Sequence, residues 1–561
     1  MLPDSTSQYH RSLTLMAMQW GQFLDHDITA TPEFDEPTDC CSSLRGAVHS
    51  HYYTRGPCFP IPIPARDRHF RIRCMEFRRS MPTKTTGRRE QVNVITSYID
   101  GSQIYGSNDE EITQLRLHKN GLLRTSTFNL LPKTTRFHRP CVENITNFCF
   151  NSGDVRINEF PGLASMHTVF HRAHNRFAST LQGLNPHWDD DTLFQESRRI
   201  VSALLQHITY HQFLPIVLGD RGMTRHGLNK RYRYSHKINA DIFNSFATAA
   251  YRFGHSMITR TFNTHDNPEQ LIDKMYFRPH FLTGNSGKGV DEILKGISTR
   301  PCQRADKFFS PGVSDHLFED STASGQSFDL VARNIQRGRD HGLPSYMEFF
   351  KLANRAYFDT SFSNRFDWRN FLHRDLTRFP FNPFSFNRGH ALFKRNARRT
   401  TRFYNWSWDP WFRRWYRNTP RLGFTNIYRR HNLQALLTQR CLSAYRNNID
   451  DVDVFVGGMS EPAVDGGLVG TTFAYILAKQ FYNLKNGDRF WYESEDENVC
   501  FSPAQLREIK KVKLSRIMCD NTAIKALQSD IFSQPSFSNP IVSCDSSAIP
   551  ELDLSAWRDV P

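Results

Sequence analysis

One large, mainly helical domain with very little β structure is what this sequence predicts, on three features of its pattern. Apolar residues recur at helical spacing in six stretches, strand-like alternation is scarce, and no repeat or Gly-, Ser- or Pro-rich linker divides the 561 residues. A hydrophobic share of 39% supports a core. No run approaches the ~18 apolar residues that a membrane span requires.

Taken in order, Leu13, Met16, Trp20, Phe23 and Leu24 predict a first helix that sets Gln22, Asp25 and His26 on one face. A second runs over 160–180 and a third over about 190–218, with His207 and Tyr210 as core partners. A fourth spans about 239–255, striped by Ile242, Phe246, Ala249, Ala250 and Phe253. Two more cover about 328–353 and 469–486.

The net charge of +15 would suggest an acidic partner or nucleic acid if it were spread over the surface. It is not. Residues 354–433 hold 16 arginines and one lysine against four aspartates, so the other 481 residues carry only +2. That block also holds 21 aromatic residues and no lasting apolar period, as in Trp406-Ser407-Trp408-Asp409-Pro410-Trp411. It reads as an anomalous Arg/aromatic-rich insertion interrupting a domain that otherwise spans 1–561. Translated non-coding sequence is the first reading, a disordered insertion the second and a single-strand nucleic-acid site the last. No nucleic-acid partner is therefore expected.

Eleven cysteines without a Cys-x-x-Cys pair cluster in turn-rich stretches (Cys40, Cys41, Cys58 and Cys74; Cys141 and Cys149), which suits disulfides better than zinc. The sequon Asn144-Ile145-Thr146 lies between two of them. Both point to a secreted, extracellular glycoprotein. Met1-Leu2-Pro3-Asp4-Ser5 has neither the basic start nor the apolar run of a signal peptide, so a leader is expected upstream of this chain.

Five segments carry candidate chemistry. Asp25-His26-Asp27, with Gln22 one turn earlier, is a polar cluster beside an apolar stripe; solvated charges are the plain alternative. Arg156 and Glu159, at i and i+3, can share one side of a helix start, as a structural ion pair also would. Tyr251-Arg252-Phe253-Gly254-His255 ends an apolar helix in a His, with a Gly that lets a flat ligand approach; a helix-terminal His is the alternative. Asn334 and Arg337 lie on a polar-rich buried helix, where unpaired donors cost about 1–3 kcal/mol each and an anionic ligand would supply partners. Thr96, Asp100 and Ser102, around Gly101, offer oxygens to a hard cation or form an ordinary polar turn.

Taken together and in this order, the five segments resemble the animal haem peroxidase family, which includes peroxidasin, myeloperoxidase and the arthropod chorion and peroxinectin-like enzymes. Ser165-Met166-His167-Thr168, Pro186-His187-Trp188-Asp189, Asp450-Asp451-Val452-Asp453 and Asn486-Gly487-Asp488-Arg489 extend the likeness from about residue 13 to 558, apart from the basic block.

That resemblance implies a helical haem-peroxidase fold, haem b and calcium as cofactors, and hydrogen peroxide as oxidant. It makes His26 the distal base, Gln22 its pocket neighbour and Arg156 the cation that stabilises charge as the O–O bond breaks. His255 becomes the proximal iron ligand, with Asn334 accepting the proton of its other ring nitrogen. Arg252 and Arg337 match positions that meet the haem propionates. Asp25 and Glu159 match carboxylates that form ester links to the haem. Phe160 stands where a Met would add a sulfonium link, so chloride is a poor expected substrate and phenolic, tyrosyl or (pseudo)halide substrates are better ones. Asp27, Thr96, Tyr98, Asp100 and Ser102 match the calcium loop, Tyr98 through its carbonyl.

The resemblance also pairs Cys519 with Cys544, Cys141 with Cys149, and Cys58 with Cys40 or Cys41. A family disulfide near Ala353 and Tyr475 has no cysteine at either place here. Extracellular cross-linking or defence is the expected role, with matrix or eggshell proteins as partners. An adhesive extracellular protein retaining the fold is the competing reading, weakened by the absence of an Arg-Gly-Asp tripeptide.

Overall fold

The computed structural model describes residues 2–3, 8–34, 40–41, 56–83, 89–134, 141, 148–264, 267–319, 327–358 and 443–559. The sequon and most of the basic block lie outside these residues. The expected class is observed: helices carry the architecture, and every sheet among the described residues has two strands. The antiparallel pair Tyr9–Thr14 and Pro301–Gln303 delivers the chain into the first helix, α1 (Leu15–Ile28).

α1 is central because eleven of its fourteen residues are buried. Trp20 and Phe23 meet Phe170, the latter ring stacked at 5.3 Å, and Trp20 meets Phe532 edge-on. Only Gly21, Gln22 and Asp25 keep accessible surface within α1. The core therefore holds most of this helix rigidly and leaves Gly21, Gln22 and Asp25 on its accessible side. Phe170 belongs to α2 (Pro161–Leu184), which starts at a proline whose missing N–H costs nothing there. α3 (Asp190–Ile208) starts at Asp189, whose carboxylate accepts the Thr192 N–H at 2.8 Å. A π turn at Thr209–Phe213 then leads into α4 (Leu214–Arg225). Pro215 explains the interruption, since it has no N–H to donate back to the preceding turn.

Two of the expected helices are divided. The stretch 239–255 forms a short helix, Asn244–Thr248, and then a 3-10 helix, Ala250–Met257, the break falling at Ala249 (φ −138°, ψ −70°). The tighter winding eclipses side chains three apart, so Arg252 and His255 point the same way. The stretch 328–353 becomes α5 (Leu330–Asp340) and α6 (Tyr346–Phe358). Gly342 at φ +66° reverses the chain between them, and Pro344 could not continue a helix. Helix α7 (Thr471–Asn486) packs on α6, and Ala353 and Tyr475 are both buried.

Disulfides Cys40–Cys58, Cys141–Cys149 and Cys519–Cys544 form as the resemblance implied, with Cys40 rather than Cys41 on Cys58. Cys41 joins Cys74, while Cys302 and Cys500 stay reduced. No described helix is long and apolar enough to cross a membrane.

Candidate active site

Three groups meet beneath the open face of α1. Nδ1 of His26 lies 3.4 Å from Oδ1 of Asp154, close enough for charge interaction but off the axis of a hydrogen bond. Asp154 in turn holds Arg156, whose Nε and a terminal nitrogen donate to its carboxylate at 2.9 and 2.7 Å. Arg156 also donates to the Thr29 carbonyl at 2.8 Å and lies 3.8 Å from Asp25. Burial would raise the Asp154 carboxyl's pKa, but Arg156 outweighs it and keeps the group ionised. Burial, then Arg156, lowers the His26 pKa well below its usual value, so the ring is neutral near pH 7.

The local chain explains this convergence. Asp154 caps the 3-10 turn Val155–Asn158 by accepting the Arg156 N–H at 2.9 Å, and the same carboxylate then clamps the Arg156 side chain. Sequence reading passed over Asp154. The signal was present, as an acidic residue two before Arg156 at the start of a turn. Gln22 sits one turn before Asp25 and accepts from Gln19 at 3.1 Å. Asp25 and Arg156 keep 29% and 24% of their side-chain surface, yet burial leads the upward shift of the Asp25 carboxyl. Glu159 follows the same turn and adds to the field that keeps Arg156 charged.

The second wall comes from the 3-10 helix. Asn334, fully buried on α5, has its amide nitrogen 2.8 Å from His255 Nδ1, and its oxygen accepts from Arg252 at 2.8 Å. This reverses the expected polarity, in which the amide oxygen faces the imidazole. Arg252 causes the reversal, because turning the amide over would set its N–H groups against the guanidinium. Burial, then Arg252, brings the His255 pKa down to about 3, leaving a neutral ring.

Arg337 is committed elsewhere. It donates to Glu33 at 2.5 Å, to Ser80 and the Arg78 carbonyl at 2.9 Å, and to Asp340 at 3.2 Å.

The calcium candidates also converge. Ser102 N–H and Oγ donate to the Asp27 carboxylate at 2.7 and 3.1 Å, and Oγ also reaches the Asp27 carbonyl at 2.8 Å. Thr96 Oγ1 donates to Asp100 at 2.9 Å. The Tyr98 side chain is 39% exposed and takes no part. Burial, then Asp100, drives the Asp27 pKa well up.

Comparison with known proteins is decisive for the family. Residues 1–364 and 411–532 match the family described as Animal haem peroxidase. The chain belongs to the animal haem peroxidase family. It is 35% identical to the mouse peroxidasin homolog over 97% of this chain, and 32% identical to Drosophila melanogaster chorion peroxidase over 98%. It spans only 34% of the first of these relatives and 62% of the second. The fold of peroxidase A from Dictyostelium discoideum superposes with a TM-score of 0.65 at 24% identity, covering 95% of this chain and 88% of that one.

The residues fit the group that gives the family its name. Among the described residues Arg252 forms no ion pair with a carboxylate, and desolvation brings its pKa down to about 10. Such a buried cation calls for an anion. A side chain built at Gly254 would meet nothing within 4 Å, so open space adjoins His255. The fit to calcium rests on Asp27 and Asp100, two desolvated neighbouring carboxylates that, among the described residues, form no ion pair with Lys or Arg.

Proposed function

We propose that this chain is a haem-dependent peroxidase that uses hydrogen peroxide to oxidise phenolic or tyrosyl substrates or (pseudo)halides outside the cell. One observation carries the reading: His26 and a fixed cation, Arg156, lie against the same carboxylate of Asp154, and α1 packs on the 3-10 helix that holds His255. Haem held there supplies the iron on which the O–O bond is broken. His255 would hold the iron through Nε2, which requires the ring proton on Nδ1 and therefore the Asn334 amide turned so that its oxygen accepts that proton. Arg252 offers its cation to a propionate. Asp25 and Glu159 would be the carboxylates that form ester links.

The protein's own groups then handle protons and charge. Nδ1 of His26 faces Asp154, and no hydrogen bond among the described residues occupies its Nε2. That nitrogen takes the first proton of the peroxide and returns it to the departing oxygen. The Asp154 charge beside Nδ1 favours the ring proton on that side and leaves Nε2 to accept. Arg156 is held rigidly where negative charge develops, which avoids reorganisation during the reaction. Asp27, Asp100, Thr96, Ser102 and the Tyr98 carbonyl would hold calcium beside His26, which would brace α1. Phe160 is buried against Phe262 and offers no thioether, which supports substrates easier to oxidise than chloride.

The test is haem reconstitution followed by the Soret band and peroxide-dependent guaiacol oxidation. A Soret band lost in His255→Ala, with turnover lost but haem retained in His26→Ala, supports the reading. Equal guaiacol oxidation by wild type and His26→Ala would overturn it.

A further inference from the structure

Among the described residues, one group of three metal-ligating side chains lies within ligand spacing. His69, His316 and Glu319 each offer one donor atom, all within 4.8 Å of one another. The geometry points to a binding site for a divalent transition ion, with zinc as the natural occupant, distinct from the haem and calcium positions.

Three features set this group apart from a chance surface cluster. Its donors are two imidazoles and one carboxylate, which suit zinc or copper, whereas a hard ion such as calcium takes oxygen alone. The two rings meet edge to face with centroids 4.5 Å apart, and all three residues are half-buried. The donors are also held in place by separate devices. Asp67 accepts the backbone N–H groups of His69 and Phe70 at 3.0 and 2.8 Å, which fixes the turn carrying His69. His69 Nε2 lies 3.2 Å from Ser327 Oγ. Between His316 and Glu319, Phe318 adopts φ +60°, a conformation rare for an aromatic residue. Its ring packs on Tyr276 and Phe277 at 5.0 Å each, and that contact sustains the reversal. The reversal sets the Glu319 carboxylate 2.8 Å from His316 Nδ1.

Three protein donors leave a fourth tetrahedral position for water. The location gives the ion a mechanical task. His69 lies in the stretch between Cys58 and Cys74, both of which are disulfide-bonded. The Leu317–Phe328 bridge leads directly to Asp329, the cap of α5. An ion there ties the disulfide-bonded region to the start of the helix that carries Asn334.

The experiment uses the haem-loaded chain, stripped with chelator and dialysed against zinc, with zinc and iron counted separately. One zinc per chain is expected in wild type. Affinity should fall at least about tenfold in His316→Gln and in Glu319→Gln, with the Soret band unchanged. Copper loaded into the wild-type chain provides a readout independent of folding. Nitrogen couplings from two imidazoles in its paramagnetic resonance spectrum are expected. Zinc binding unaltered in His69→Gln/His316→Gln, or copper without nitrogen coupling, would overturn the assignment.

Discussion

Asp154 stands between His26 and Arg156, 3.4 Å from the ring nitrogen of one and 2.7 Å from the guanidinium of the other. One buried carboxylate thus lies against the proposed base and fixes the position of the proposed cation. Asp154→Asn keeps the shape but removes the charge. Peroxide turnover is expected to fall roughly 10- to 100-fold, while the Soret band and the KM for guaiacol stay near wild type. Stopped-flow rates of peroxide consumption check this. An unchanged rate would remove Asp154 from the site.

Asn334 makes the corresponding link on the other wall, between Arg252 and His255. Asn334→Asp gives the imidazole an anionic partner. The midpoint potential of bound haem is then expected to move negative, on the order of tens of millivolts, in a spectroelectrochemical titration. Asn334→Leu leaves one terminal guanidinium nitrogen of Arg252 and a ring nitrogen unpaired, which costs about 1–3 kcal/mol per group in urea unfolding.

Much of this site was legible in the sequence because its residues sit in short segments with fixed spacing. A helix sets Gln22, Asp25 and His26 on one side, and a turn carries Arg156 with Glu159. Two things were not legible. The chain's own periodicity continued through 239–255 and 328–353, whereas tertiary contacts around His255 and the reversal at Gly342 divide those stretches. The partner of a side chain is also invisible when it comes from elsewhere. Glu33 claims Arg337 from 304 residues away, whereas among the described residues Arg252 forms no ion pair with a carboxylate. The His69–His316 juxtaposition was hidden for the same reason.

Asp27 and Asp100 predict a crossover. Without calcium the two buried carboxylates repel, so Asp100→Asn relieves a strain while also removing a ligand. In chelator the variant should melt higher than wild type, and in saturating calcium it should melt lower. Calcium at ~100 times its Kd would stabilise wild type by about 2.7 kcal/mol. Thermal melts of both proteins in chelator and in calcium settle the order. Parallel responses would argue against calcium at this position.

Three buried histidines on α2 predict a loss of stability in acid. Burial lowers the pKa of His167 to about 3, of His171 to about 4 and of His174 to about 3. All three are therefore neutral in the folded chain at pH values where the unfolded chain protonates them. A folded pKa below the unfolded value means that the unfolded state binds more protons. Stability is then fully present above pH 6.5 and falls as pH drops from there toward 3–4. Each site contributes a loss of about 2 kcal/mol by pH 5, and carboxylates with raised pKa offset part of the total. His174 isolates one contribution, since its ring is held by Tyr105 Oη at Nδ1 and by the Gly121 carbonyl at Nε2, both at 2.9 Å. His174→Gln should be less stable than wild type at pH 7, because it cannot replace both bonds. Between pH 6.5 and 5, however, it should lose about 2 kcal/mol less than wild type in equilibrium urea unfolding. Identical slopes for the two proteins would mean that His174 titrates normally in the folded state.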